Sequence, residues 1–238
     1  MRQQIKKALR HLGVDFVRWR PESSPRAALR RMLDRHLIDT VLDVGANEGQ
    51  YARFLREIGF DGRIISFEPL TSAYQRLLRS AAKDASWIVA PRTALGKEEG
   101  EIRLNIASNG ASSSLLSMLS AHRTAAPEID FVSREVVPIA RLDCAARDLL
   151  GDARNVFLKV DVQGSEFEVL QGAEELLPRL AGLQLELSFV PLYEGQALFF
   201  ELADFVERKG FGIWGITPGF VDRSSGRLLQ IDGIFFRG

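Results

Sequence analysis

Thr40-Val41-Leu42-Asp43-Val44-Gly45-Ala46-Asn47-Glu48-Gly49-Gln50 is a short apolar strand that runs into a glycine-bearing turn, with the amphipathic stretch 51–58 directly behind it. A strand, a tight turn and a helix in that order put backbone N–H groups and a helix N-terminus at the carboxyl end of a strand. Nucleotide-like cofactors bind there in open α/β sheets. The glycine spacing separates the options. A dinucleotide fold wraps its pyrophosphate with G-x-G-x-x-G. Here Gly45 and Gly49 stand in G-x-x-x-G, and an acid, Asp43, lies two residues before the first glycine. Gly45 can take the positive φ of a sharp turn and lets a ligand approach bare backbone, with Ala46 and Asn47 completing the loop. Asp43 is placed to receive an ammonium, directly or through water. Such a loop suits a ligand carrying an ammonium or sulfonium better than one carrying two phosphates, which points to S-adenosylmethionine.

Two more strand ends repeat the pattern. Arg63-Ile64-Ile65-Ser66-Phe67-Glu68-Pro69 ends in an acid, and Pro69 prevents simple continuation of the strand. A carboxylate at that tip can accept hydrogen bonds from both ribose hydroxyls, a contact that a phosphorylated ribose would repel. The competing reading of Glu68 is a surface acid capping the next helix. Leu158-Lys159-Val160-Asp161-Val162-Gln163-Gly164-Ser165-Glu166 is again an apolar strand, an acid, a glycine and a helix start. Parallel strand ends face one way, so Asp43, Glu68 and Asp161 are expected to converge on one crevice. Asp161 could there orient or deprotonate a substrate hydroxyl, the alternative being a structural bond to turn N–H groups. Glu166 reads as stabilising the first turn of its helix. Lys159, inside an apolar strand, needs an acidic partner in Asp161 or Glu186, or a path to solvent.

Working outward, the pattern predicts helices over 3–12 and 26–37, broken at Pro21-Glu22-Ser23-Ser24-Pro25. Strands at 40–44, 62–67 and 87–90 alternate with helices at 51–58 and 72–82. Extended segments at 101–106 and 135–139 flank a polar, irregular stretch beginning at 107–114. Then follow a helix at 142–150, a strand at 156–160, a helix at 166–177, a strand at 183–187, a helix at 197–209, and strands at 211–216 and 228–236. This alternation specifies an α/β fold with a mainly parallel sheet, helices on both faces and an antiparallel end. Residues 1–37 read as a basic helical arm packed on a single domain, 38–238.

Charge and composition bound the partners. The chain has 238 residues, with 31 Lys and Arg balanced by 31 Asp and Glu, and a single cysteine, Cys144, which cannot form an internal disulfide. No apolar run reaches the roughly 18 residues needed to span a bilayer, and the first residues lack the apolar centre of a secretory signal. A cytoplasmic enzyme is the expectation, with no resident metal and no nucleic-acid partner. Residues 1–36 carry ten Arg or Lys against three acids. That arm could make weak peripheral contact with an anionic membrane surface, or touch an anionic substrate. The competing reading is a solvated helical face, with Ile5, Leu9 and Leu12 packing on the domain.

Several stretches together resemble the FkbM-type S-adenosylmethionine-dependent methyltransferases. They are VLDVGANEGQ (41–50), ISFEP (65–69), TALG (93–96), NGASSSL (109–115), RLD (141–143) and, above all, LKVDVQGSEFEVLQGA (158–173). The resemblance runs from about residue 38 to the C-terminus. It implies a class I methyltransferase (Rossmann-like) fold with a seven-stranded sheet, and methyl transfer to an oxygen on a sugar, glycolipid or polyketide-type small molecule. It also implies adenine contacts at Thr93 and Ala94, beside a cofactor set of Asp43, Gly45, Ala46, Asn47, Gly49, Glu68, Pro69 and Asp161. Ser112, Ser113 and Ser114 would form the acceptor side of the pocket unless they are merely a solvated loop. Tyr193 is a candidate substrate platform, and Glu186 a second catalytic acid beside Asp161. Two other classes compete: a nicotinamide-dependent oxidoreductase of related fold, and a non-catalytic nucleoside-binding domain. Magnesium held by Asp161 and Glu186 is a further variant.

Overall fold

The structure is a computed structural model and describes residues 24–238. The expected helix at 3–12 and the part of the arm expected to contact a membrane surface lie outside the described residues. Helix α1 (Pro25–Arg35) opens with proline, whose missing N–H costs nothing in a first turn, and buries Leu29 and Leu33. Strand β1 (Thr40–Val44) is buried at all five positions, as a central strand covered on both faces must be. The chain continues through α2 (Gln50–Glu57), β2 (Arg63–Phe67), α3 (Thr71–Ala81) and β3 (Trp87–Val89). An excursion follows: β4 (Ala94–Leu95), β5 (Gly100–Ala107), α4 (Ser120–Ala125) and β6 (Phe131–Ala140). Two short helices, α5 (Leu142–Ala145) and α6 (Arg147–Leu150), lead to β7 (Val156–Val160). Then come α7 (Glu166–Gln171), β8 (Leu180–Ser188), α8 (Phe199–Arg208), β9 (Phe211–Pro218) and β10 (Gln230–Arg237).

The main sheet has seven strands in the order β3-β2-β1-β7-β8-β10-β9. β1 runs parallel to both β2 and β7, whereas β10 is antiparallel to β8 and β9. This is the expected mainly parallel sheet with an antiparallel C-terminal strand. The chain moves outward from β1 to β3, then crosses back to β7, so the strand order reverses between β1 and β7. Ligands of open α/β sheets lie at that switch point. One face of the sheet carries a core of Leu42, Leu158, Leu183 and Val206. The other is covered by α1 and α2, with Leu33, Leu55, Ile64 and Phe236 at its centre.

The excursion holds what the sequence pattern did not specify. β4, β6 and β5 form a separate three-stranded sheet, with β6 parallel to β4 and antiparallel to β5. Its inner face packs Leu104 and Val137 on Leu70 and Ala73, so it stands over the carboxyl edge of β2. The helix expected at 166–177 stops at Gln171. Gly172 follows, packed backbone to backbone, since a Cβ there would lie 2.0 Å from the Gly96 carbonyl oxygen.

Candidate active site

The turn after β1 is tied down by its own backbone. The Gly45 and Ala46 N–H groups both donate to the Phe67 carbonyl, at 3.1 and 3.0 Å, and the Gly49 N–H donates to Ala46 at 2.8 Å. The Asn47 N–H donates to Glu68 Oε2 at 2.8 Å, and the Glu48 N–H to Gln50 Oε1 at 3.0 Å. Every N–H from 45 to 49 is therefore engaged, which leaves no anion cradle of the kind a phosphate needs. Gly45 has φ +76°, and a Cβ on it would lie 1.8 Å from the Asp161 carbonyl oxygen. The glycine is demanded by the close approach of the loop after β7, and it also lines the cavity described below.

Glu68 is buried, and its Oε1 accepts the Leu70 N–H at 2.9 Å. Burial pushes its carboxyl up to about 7, against the pull of the Asn47 and Leu70 N–H groups. Each oxygen takes one backbone donor and keeps lone-pair capacity for a further hydroxyl.

Lys159 has its acidic partners. Its Nζ lies 3.3 Å from Asp43 Oδ1 and 3.4 Å from Asp161 Oδ2, and donates to the Gly45 carbonyl at 3.3 Å. Burial opposes its charge, but the Asp161 and Asp43 carboxylates outweigh that cost and hold its pKa above the usual lysine range. Asp161 Oδ1 accepts the Gln163 amide at 2.8 Å. The same amide nitrogen donates to Glu186 Oε2 at 3.0 Å, while Gln163 Oε1 accepts the Tyr193 hydroxyl at 2.9 Å. Gln163 itself sits at φ +58°, an uncommon conformation for a side-chain-bearing residue and one often found at functional sites.

A cavity of about 450 Å³ spans these elements, within the range of small-molecule sites. Gly45, Ala46, Asn47, Glu68 and Pro69 line its middle, Thr93 and Ala94 its β3 side, and Ser113 its loop side. Asp161 opens into it beside Lys159, Tyr51, Phe54, Gln184 and Asp232. Sequence reasoning missed Gln163, Tyr51, Gln184 and Asp232. The signal for Asp232 was present, because an acid inside Ile231-Asp232-Gly233-Ile234 is as anomalous as Lys159 in its strand.

Other expected positions fall elsewhere. Asp43 is fully buried behind the turn, held by Lys159 and by the Ser66 hydroxyl at 3.2 Å, so it faces the protein and not a ligand. Gly49 lies behind the cavity, where a Cβ would sit 2.5 Å from the Trp87 ring. Ser114 is buried and donates to the Gln163 carbonyl at 2.5 Å. Ser112 is buried in a turn on Asn109. Tyr193 is fully buried among Met118, Leu192 and Leu229, and no ring face is left for a substrate. Glu186 is outside the cavity lining. It accepts the amides of Gln163 and Gln230, and burial, then its acidic neighbours Asp161, Glu166 and Asp232, raise its carboxyl well above the usual range. The alternative of magnesium on Asp161 and Glu186 meets the Gln163 amide between them. Glu166 stands in the first turn of α7, as expected, and also accepts the Val162 and Gly164 N–H groups at 3.1 Å each, which fixes the turn.

The family model described as the methyltransferase FkbM domain matches residues 43–213. A search of curated protein sequences finds no match. Among solved structures, a fibrillarin/Nop5p complex is 15% identical at a TM-score of 0.48, over 92% of this chain and 84% of that one. An rRNA methylase from Streptococcus thermophilus is 11% identical at a TM-score of 0.46, over 93% and 99%. Aeropyrum pernix fibrillarin with natively bound S-adenosyl-L-methionine is 13% identical at a TM-score of 0.45, over 82% and 66%. The expected exclusion of nucleic acid is corrected here. Similar structures are described as an rRNA methylase and a fibrillarin/Nop5p complex. Among the described residues no helix is long and apolar enough to cross a membrane.

Proposed function

The chain belongs to the FkbM methyltransferase family, and from that premise we propose that it transfers the methyl group of S-adenosylmethionine to a hydroxyl oxygen on a sugar, glycolipid or polyketide-type small molecule. The donor supplies a methyl group already activated on a sulfonium. The observation that carries the reading is the pairing of Glu68 and Asp161 in one cavity beside a turn with no free N–H. A pyrophosphate would meet two carboxylates there, and the only lysine or arginine among the described lining residues, Lys159, is already paired. That disfavours a nicotinamide dinucleotide.

The residues fit the donor. Glu68 offers one acceptor lone pair from each oxygen to a ribose, and Pro69, Thr93 and Ala94 offer walls for an adenine. Gly45, Ala46 and Asn47 form the floor. Most of the rate acceleration is assigned to alignment of the acceptor and exclusion of water. Asp161 receives the proton that the acceptor hydroxyl loses. Gln163 and Lys159 fix the direction in which its oxygens point. A domain that only bound a nucleoside would have no use for a second, oriented carboxylate facing the ligand. Residues 38–238 are taken as the transferase domain and 1–37 as a basic arm, whose described helix α1 seats Leu29 and Leu33 in the core.

The test is transfer of labelled methyl from S-adenosylmethionine to a panel of saccharides, glycolipids, polyketide alcohols and RNA. Label on a hydroxyl oxygen of one of the first three classes is expected. Label on RNA, or on nitrogen or carbon, would displace the acceptor assignment. Asp161→Asn should keep donor binding within about twofold and lose about 100-fold or more in kcat; wild-type turnover would remove Asp161 as the base.

A further inference from the structure

The cavity does not stop at Asp161. It continues over β8 and β10, between those strands and α2, where Tyr51, Phe54, Lys159, Gln184 and Asp232 line it. Tyr51, Lys159 and Gln184 interlock: the Tyr51 hydroxyl donates to Gln184 Oε1 at 2.8 Å, and Lys159 Nζ stands 5.4 Å from the Tyr51 ring centre. The three carboxylates that line the cavity are not equivalent. Glu68 is served by two backbone N–H groups. Asp161 has Lys159 and Gln163. Asp232 also lines the cavity, but Lys159 makes its close ion pairs with Asp43 and Asp161 and acts on Asp232 only as a more distant attraction. A partly buried carboxylate without a close ion pair is costly, and a cation arriving from solvent would relieve that cost. Burial, and then the nearby Asp161 carboxylate, raise its pKa accordingly.

We propose that Asp232, carried by the antiparallel strand β10 and lying outside the family-matched segment 43–213, receives the primary ammonium of the methyl donor's amino-acid end. This rests on the donor assignment made above and adds the residue that recognises its far end. With the ribose on Glu68 and the nucleoside walls on the β3 side, the amino-acid end extends the other way, past Gly45 and Asp161. The pocket it enters is the part of the cavity that Asp232 lines beside Tyr51 and Gln184. Lys159 is already held by Asp43 and Asp161. Asp43, the acid first expected to take the ammonium, is sealed behind the turn by the same lysine.

The experiment is calorimetric titration of the full chain with three probes. S-adenosylhomocysteine carries ammonium and carboxylate, its decarboxylated analogue carries the ammonium alone, and 5′-methylthioadenosine carries neither. In the wild-type protein the first two should bind more tightly than the third. Asp232→Asn, which keeps the shape of the side chain, should weaken S-adenosylhomocysteine and its decarboxylated analogue by about 10- to 100-fold. It should leave 5′-methylthioadenosine unchanged. Wild-type affinity of Asp232→Asn for the two ammonium-bearing probes would overturn the proposal, and so would equal weakening of all three. Failure of the wild-type protein to bind any probe would instead strike the donor assignment itself, and the inference with it.

Discussion

Glu68 couples the site to pH in a direction that its surroundings fix. Its folded-state pKa is pushed to about 7 from an ordinary 4.5. The native protein therefore holds a proton that the unfolded chain releases. The stability this contributes is complete below about pH 4.5 and is lost as pH rises through about 7. Ligand binding runs the opposite way, because ribose hydroxyls donate to the carboxylate form. Affinity for S-adenosylhomocysteine should rise up to about tenfold per pH unit below 7 and flatten above it. Calorimetry between about pH 6 and about pH 8 checks this. Glu68→Gln should bind weakly with no such slope, and a slope that survives would point to another group. Gly45 has a different sensitivity. Gly45→Ala forces a β-carbon onto the Asp161 carbonyl at a positive φ, and thermal melts should show a loss of about 2–4 kcal/mol. Glu68 and Gly45 could be found from sequence because strand tips and tight turns demand particular residue types locally. Asp43 shared that signal and lies buried against Lys159, since a pattern of residues does not say which way a carboxylate faces.

At the scale of elements, β1 and β7 are joined by more than their backbone ladder. Lys159 lies level with Asp43 in the register of these strands, and its ammonium ties Asp43, Asp161 and the Gly45 carbonyl together. Lys159→Met removes the ammonium that pairs with Asp43 and leaves Asp43 buried without it, which should cost about 3–5 kcal/mol in a denaturant melt. Adding Asp43→Asn to that variant should recover much of the loss, because the uncompensated charge is then gone. No recovery would mean that Lys159 acts mainly through Asp161. The serine-rich stretch is also an element-level result. Ser112 and Ser114 looked like acceptor-side hydroxyls, yet both hold loops: the Ser114 hydroxyl donates to the loop after β7, and the Ser112 hydroxyl accepts the Asn109 amide of its own turn. Hydroxyls that close a roof and hydroxyls that greet a substrate are the same residues in sequence, and only their partners tell them apart.

At the scale of the molecule, the cavity is built by segments from Gly45 to Asp232 that meet only in the folded sheet. A ligand seated there must therefore stabilise the whole domain. S-adenosylhomocysteine at about 100 times its Kd should add about 2.7 kcal/mol. A thermal melt should move upward for the wild-type protein and far less for Glu68→Gln, and an unmoved wild-type melt would count against the donor. The order of strands and helices, the mainly parallel sheet and the acids at the tips of β2 and β7 were legible from the sequence alone. Hydrophobic period, glycine placement and acids ending apolar strands are local properties of the chain. Tertiary structure alone decided which of the three acids turns inward, that β4, β5 and β6 form their own sheet, and that Asp232 joins the same cavity as Glu68. Those outcomes depend on which strands lie side by side, and residues distant in the chain acquire shared electrostatics and shared space only once the sheet has closed.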